Sequence, residues 1–331
     1  MKAAFLDWDS LNGARLNGQG LDASCLDQLP VEWQYFAKIS PQELLDVIRQ
    51  VDIVVSNKIV LGADLLEQAT QLKLICVAAT GTNNIDLQSA AKNKIPVCNV
   101  RAYASESVVQ HVFMLMLNLT RRFGFYQQAV RDGAWQNSDH FCLLTYPIES
   151  LTGKTLGIIG YGELGRAVSR MAKQFGMKVL VAESLAGASQ TGQTTSEVAR
   201  VSLETVLSES DFVSLHCPLT EQTNNLIDTK QLALMKKSAM LINTARGGIV
   251  NEAALLHALE TNQIAGAASD VLIEEPPVNG NPLLESHLQN LIITPHIAWG
   301  ARQARQQLLD KIAQNISAWL NGALINQVNE A

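Results

Sequence analysis

The sequence predicts an α/β fold built from two doubly wound parallel-sheet domains, and three observations predict it. At roughly 150 residues per domain, 331 residues are enough for about two domains. Hydrophobic residues make up 47% and charged residues 17%, which supplies two buried cores and excludes a disordered chain. Short apolar, β-rich runs alternate with helical patterns in two successive series, the pattern of parallel sheets covered by helices.

In the first series, residues 2–6, 52–56, 72–79 and 96–100 are apolar and bounded by turn or polar residues, as buried parallel strands are. Residues 41–50, 63–69 and 87–92 have helical spacing, with Ser40 as a cap before Pro41. A long apolar helix is expected from Ser105 to about Arg122, where the pair Arg121-Arg122 complements the negative helix end. Residues 123–150 are poorly periodic and carry Trp135, Phe141, Tyr146 and Pro147. A loop of that length in a compact domain is functional or an interface arm, and we read it as a dimerisation arm. The second series places strands at 155–159, 178–181, 212–215, 239–243, 265–271 and 291–294. Helices fall near 164–174, 202–208, 229–234 and 252–261. Six strands with intervening helices is the count of a doubly wound dinucleotide-binding sheet. Residues 301–320 form one amphipathic helix long enough to return to the first domain. The expected plan is a domain of residues 1–101 and 299–331, interrupted by a domain of residues 102–298.

Charge and composition exclude several function classes. Net charge is −6, so neither nucleic acid nor a membrane surface is expected as a partner. The start lacks a signal-peptide pattern, and the apolar stretch 108–119 is broken by Gln110, His111 and Asn118. A membrane span needs about 20 residues. The five cysteines form no CxxC pair and are odd in number, which points to reduced thiols in a cytoplasmic protein without a structural metal.

The run Gly160-Tyr161-Gly162-Glu163-Leu164-Gly165 follows a strand directly and opens a helix. Glycines at this spacing also mark ordinary turns, but here the context of a dinucleotide site is complete. Gly160 makes the turn, Gly162 lets backbone approach a pyrophosphate, and Gly165 allows close helix–strand packing. The N–H groups of the first helical turn, at Glu163 and Leu164 among others, face the anion. Glu163 must turn its own carboxylate away, toward solvent. Glu183, 21 residues after Gly162, ends the next strand and can accept bonds from both ribose hydroxyls. It repels a 2′-phosphate, and residues 184–187 offer no cation to hold one, so NAD is the expected cofactor.

Three late strands end in groups suited to hydride exchange between that cofactor and a 2-keto acid. Asn243-Thr244-Ala245-Arg246-Gly247 supplies a guanidinium, a planar fork for a carboxylate. The run Asp270–Pro277 supplies carboxylates, and Pro295-His296-Ile297-Ala298-Trp299 supplies an imidazole. A carboxylate beside an imidazole favours its protonated form, a proton source near neutral pH. Ligands of open α/β sheets bind outside the carboxyl ends of strands, so these groups can share one crevice.

Taken together, Gly160–Gly165, the run Leu215-His216-Cys217-Pro218-Leu219-Thr220, and residues 243–247, 270–276 and 295–297 resemble the D-isomer-specific 2-hydroxyacid dehydrogenases along essentially the whole chain. The glycerate dehydrogenase (hydroxypyruvate reductase) branch is the most similar. The resemblance implies a Rossmann-type NAD-binding domain inserted into a flavodoxin-like substrate domain, a cleft that closes by a hinge, and a homodimer. It also implies that Arg246 binds and polarises a small 2-keto or 2-hydroxy acid, that His296 is the general acid/base, and that Glu275 holds and charges His296. By the same resemblance Asp270 contacts the nicotinamide amide and Thr244 and Ala245 line the ring. Pro218 and Ala298 lie along the cofactor, and the N–H groups of Thr80 and Gly81 take the substrate carboxylate.

Departures from the family pattern are Gln110, where Glu commonly precedes His111, and Ala298, where Gly is common. His216 reads equally well as an adenosine-pocket residue and as strand-end packing; Trp299 and Trp8 read as pocket walls or as core residues. The single Lys58 near the first-domain loops, and the end at Ala331 without an appended regulatory domain, disfavour a phosphoglycerate substrate. D-Lactate dehydrogenase, phosphoglycerate dehydrogenase and a non-enzymatic NAD-sensing corepressor remain as alternatives.

Overall fold

The structure is a computed structural model describing residues 1–13, 20–184 and 200–329. The chain divides into two compact units, Met1–Ala104 with Gly300–Ala331, and Ser105–Trp299.

In the first unit, β1 (Lys2–Phe5), β2 (Glu32–Tyr35), β3 (Ile53–Ser56), β4 (Leu74–Val77) and β5 (Val97–Cys98) form a sheet in the order β2-β1-β3-β4-β5. Every pair is parallel, and the order is that of a flavodoxin-like sheet. β3 and β4 are buried along their whole length, as strands with helices on both faces must be. Ser40 and Glu43 close a capping box on the helix Pro41–Ile48, which starts that helix where the sequence predicts it. The C-terminal helix Arg302–Leu320 packs on this unit.

The second unit has seven parallel strands: β6 (Thr155–Ile159), β7 (Lys178–Ala182), β8 (Arg200–Val201), β9 (Phe212–Leu215), β10 (Met240–Asn243), β11 (Gly266–Ser269) and β12 (Leu291–Ile293). Their order is β12-β11-β10-β9-β6-β7-β8. Counted within the unit this is the doubly wound dinucleotide order, extended by a seventh strand. The order reverses between β6 and β9, so the carboxyl end of β6 is the switch point where such sheets bind ligands.

The structure corrects the sequence reading at four places. β2 was not anticipated; three of its four residues are exposed, so this edge strand lacks the apolar run that marks a buried one. The six-strand count omits β8, a two-residue strand too short to show any period, and includes β12 as the sixth. Several strands are shorter than expected, because apolar residues continue past the last ladder bond, as around β4 and β11. Residues 123–150 are not wholly irregular: Phe123–Arg131 is a helix, set off from the long helix Ser105–Arg121 by Arg122 in the left-handed conformation (φ 52°). None of that short helix's residues is buried, which hid its periodicity. Among the described residues, no helix is long and apolar enough to cross a membrane.

Candidate functional site

Because β6 to β12 all run parallel, their carboxyl ends share one edge of the sheet. The structure therefore brings Gly160–Gly165, Glu183, Pro218, Thr244–Arg246, Asp270, Glu275 and His296–Ala298 to that edge. Thr80 and Gly81 belong to the other unit.

The turn after β6 behaves as its glycines require. Gly160 has φ 93°, and a Cβ there would collide with backbone atoms of His216 and Cys217. A Cβ on Gly165 would overlap the carbonyl oxygen of Gly160. Gly162, in contrast, faces open space and caps the helix Glu163–Gln174 with no side-chain hydrogen bond, so the first-turn N–H groups are left for an anion. The Glu163 carboxylate is exposed as expected, but it also accepts a hydrogen bond from Ser105 Oγ, which holds it to one side.

Glu183 is exposed just beyond β7, its backbone N–H bonded to Val201 O at 2.9 Å. Residues 185–187, whose lack of a cation entered the cofactor reading, lie outside the described residues. Sequence reasoning did not single out Arg200, which lies opposite Val181 in the β7–β8 register and places its guanidinium 5.9 Å from the Tyr161 ring centroid. Pro218 is held by Thr223 Oγ1 donating to its carbonyl at 2.7 Å. His216 bonds Ser214 Oγ through Nε2 at 2.9 Å, and burial pushes its pKa down to about 4, so the ring is neutral. Its Nδ1 and Thr244 Oγ1 are buried without partners. An open glycine, uncapped helical N–H groups and orphaned polar atoms on one edge fit a dinucleotide, which supplies partners to such groups.

The Arg246 turn is built by Asn243. Its Oδ1 accepts from Ala245 N at 3.0 Å, while its Nδ2 donates to Arg246 O at 2.9 Å. Gly247 then packs against the backbone of Leu272 and Ile273, where a Cβ has no room. Arg246 is half-buried and donates through Nη1 to Ala245 O at 2.7 Å.

His296 Nδ1 lies 2.6 Å from Glu275 Oε2, and both side chains are about one-third exposed or less toward solvent. Glu275 Oε1 accepts from Leu272 N at 2.9 Å, which fixes the carboxylate. A buried residue absent from the sequence reading, Glu252, steadies the same loop. Its two oxygens accept from Ile273 N at 2.8 Å and Asn281 Nδ2 at 2.7 Å. His296 itself sits at φ 53°, a conformation that costs a non-glycine residue about 1–3 kcal/mol unless its surroundings enforce it. They do: its N–H donates to Asp270 O at 2.8 Å, and its carbonyl accepts from Trp299 Nε1 at 3.0 Å. Trp299 is thus a strut for the turn. Trp8 packs edge-on against Phe5 and Tyr35 in the first unit.

Asp270 is almost fully buried and heavily bonded. Oδ1 accepts from Thr294 Oγ1 at 2.5 Å and Ile297 N at 2.9 Å, and Oδ2 accepts from Ala298 N at 2.7 Å. Burial raises its pKa, but these bonds and His111 outweigh burial and leave it below the usual carboxylate range. Asp270 stays ionised at neutral pH, and most of its accepting capacity serves the turn carrying His296. Ala298 is buried there, its carbonyl accepting from Ser107 Oγ at 2.6 Å, so the extra methyl is accommodated.

In the first unit, Thr80 Oγ1 donates to Val100 O at 2.8 Å and Thr80 O accepts from Asn99 Nδ2 at 2.7 Å, which orients the Thr80–Gly81 turn. Asp7 accepts from the N–H groups of Asn57 and Lys58 at 2.9 and 2.7 Å, ordering the neighbouring loop.

Comparison with known proteins agrees with this geometry. Residues 113–298 match the family model described as "D-isomer specific 2-hydroxyacid dehydrogenase, NAD binding domain". The chain is 44% identical over 315 residues to a glycerate dehydrogenase of Methylorubrum extorquens, covering 95% of this chain and 97% of that protein. It is 33% identical over 332 residues to a hydroxypyruvate reductase of Blautia hydrogenotrophica, covering 100% of both. A crystal structure of a Thermus thermophilus protein superposes with a TM-score of 0.84 at 30% identity, covering 99% of this chain and 100% of that one. A model spanning more than half the chain, and relatives aligned along nearly all of it, place the protein in the D-isomer-specific 2-hydroxyacid dehydrogenase family, NAD-dependent oxidoreductases acting on the CH–OH group of their donors.

Proposed function

We propose that the protein reduces hydroxypyruvate or glyoxylate, giving D-glycerate or glycolate, with NADH as donor. The observation that carries this reading is the His296–Glu275 pair, 2.6 Å apart, on the strand edge that also carries Arg246. The glycerate dehydrogenase and hydroxypyruvate reductase relatives support the substrate class. Bound at the Gly160–Gly165 turn, the nicotinamide cofactor supplies the hydride; the chain's residues do the rest. Arg246 pairs with the carboxylate and carbonyl oxygen of the keto acid. Glu275 accepts from His296 Nδ1–H, so Nε2 is the nitrogen that delivers a proton to the developing alkoxide. Thr244, Ala245, Pro218 and Ala298 line the cofactor, and Glu183 binds its ribose hydroxyls. In this reading Ser105–Trp299 is the cofactor-binding domain and Met1–Ala104 with Gly300–Ala331 the substrate domain.

A panel of keto acids tests the assignment. We expect the highest kcat/KM with hydroxypyruvate or glyoxylate, and lower values with pyruvate and 3-phosphohydroxypyruvate. A ranking led by either of the latter two overturns the substrate. In the same assay NADH should exceed NADPH, because Glu183 repels a 2′-phosphate. Equal kcat/KM for both cofactors would overturn the role given to Glu183.

We also propose that residues 123–150 pair two chains. Phe123, Trp135, Phe141 and Leu144 are 59%, 52%, 92% and 75% exposed, an apolar group of the kind that marks an interface. Sedimentation equilibrium is expected to return twice the chain mass, and Phe141→Asp with Leu144→Asp to shift it toward one; a monomeric wild type removes the proposal.

A further inference from the structure

The turn Thr294–Ala298 holds the proposed proton donor in a backbone conformation it would not adopt alone, and the side chains gripping both ends of that turn come from one helix. Ser107 and His111 are four residues apart on Ser105–Arg121, so they project from the same face. Ser107 Oγ donates to Ala298 O at one end of the turn. At the other end His111 Nε2 lies 2.9 Å from Thr294 Oγ1 and 3.4 Å from Asp270 Oδ1.

The direction of these bonds follows from counting protons. Thr294 has one hydroxyl proton, and the 2.5 Å contact to the ionised Asp270 claims it. The hydroxyl oxygen must then accept from His111, so His111 carries a proton on Nε2. The chain runs from His111 to Thr294 to Asp270, whose oxygens accept from the N–H groups of Ile297 and Ala298 on either side of the turn's end. Without the donors at His111 and Thr294, the buried carboxylate loses partners and the two N–H groups lose a fixed acceptor.

We propose that His111 is a positioning residue for His296: acting through Thr294 and the Asp270 carboxylate, it sets the turn that points the imidazole at substrate. The proposal rests on His296 being the general acid, and His111 touches neither substrate nor cofactor in it. A displacement of about 1 Å in a catalytic group costs on the order of 10²-fold in rate, so a loosened turn registers mainly in kcat.

The experiment compares the full-length variants His111→Phe, His111→Gln, Thr294→Val, Thr294→Ser, the pair His111→Phe/Thr294→Val, and His296→Ala. It reads kcat and KM with hydroxypyruvate, NADH affinity by fluorescence titration, and thermal midpoints. His111→Phe and Thr294→Val should each lower kcat about 10- to 100-fold with KM and NADH affinity within about twofold. His111→Gln and Thr294→Ser, which keep a donor, should recover most of the loss. The double variant should be no worse than its worse single, because both act in series through Asp270. Unchanged kcat in His111→Phe, multiplicative losses in the double variant, or no difference between donor-keeping and donor-lacking variants each overturn the proposal. If His111→Phe does not fold, the Thr294→Val and Thr294→Ser contrast decides alone. An active His296→Ala overturns instead the proposed role of His296, so the two failures are told apart.

Discussion

His296→Ala is expected to lower kcat about 10²- to 10⁴-fold in both reaction directions, with NADH binding retained. In reduction the imidazole must arrive protonated to neutralise the alkoxide; in oxidation it must arrive neutral to accept the hydroxyl proton. In the proposed mechanism, removing it leaves both directions without their acid or base, while the Gly160–Gly165 turn proposed for the cofactor is untouched. Glu275→Gln sharpens the test. Glu275 Oε2 lies 2.6 Å from His296 Nδ1 and fixes the orientation of the ring, while Gln keeps a hydrogen-bonding group without the charge. Glu275→Gln should therefore lower kcat about 10-fold in both directions, the cost of weakening one charge-assisted hydrogen bond, with NADH affinity unchanged. A Glu275→Gln variant with wild-type kcat in both directions would withdraw the pair from the mechanism.

Arg246→Ala is expected to lower kcat/KM by about 10²- to 10³-fold, the usual cost of losing a donor to a developing oxyanion. A lost charge-assisted bond to the substrate carboxylate adds about 1.5–3 kcal/mol. The loss should stay local, because the turn is held by the Asn243 side chain and by Gly247 packing, neither of which needs the guanidinium. Circular dichroism and NADH titration should match wild type. Arg246→Lys should recover little, since an ammonium cannot reproduce the planar fork. Near-normal turnover by a folded Arg246→Ala variant would assign substrate binding to another group.

How far the sequence could be read depended on whether a feature is written in contiguous residues. The strand–turn–helix around Gly160 to Gly165 is local: apolar β6, three spaced glycines and an amphipathic helix follow within twenty residues. The same holds for the capping box at Ser40 and Glu43. Where burial was slight, periodicity had nothing to report. β2 is mostly exposed, β8 has two residues, and Phe123–Arg131 buries none of its side chains, so all three were missed.

By itself, then, the sequence determined the parallel α/β architecture, and it singled out the Gly160–Gly165 turn and Arg246, Glu275 and His296 as candidates, because apolar period and motif order are encoded along the chain. The tertiary structure alone decided how those groups are aimed. His111 meets Thr294 across 183 residues, Glu252 meets Asn281 across 29, and the left-handed backbone of His296 is held in part by the carbonyl of Asp270, beyond the end of β11. No local pattern encodes such pairings, because a hydrogen bond between distant segments depends on where the folded sheet and helices carry them, and only folding brings them within about 3 Å.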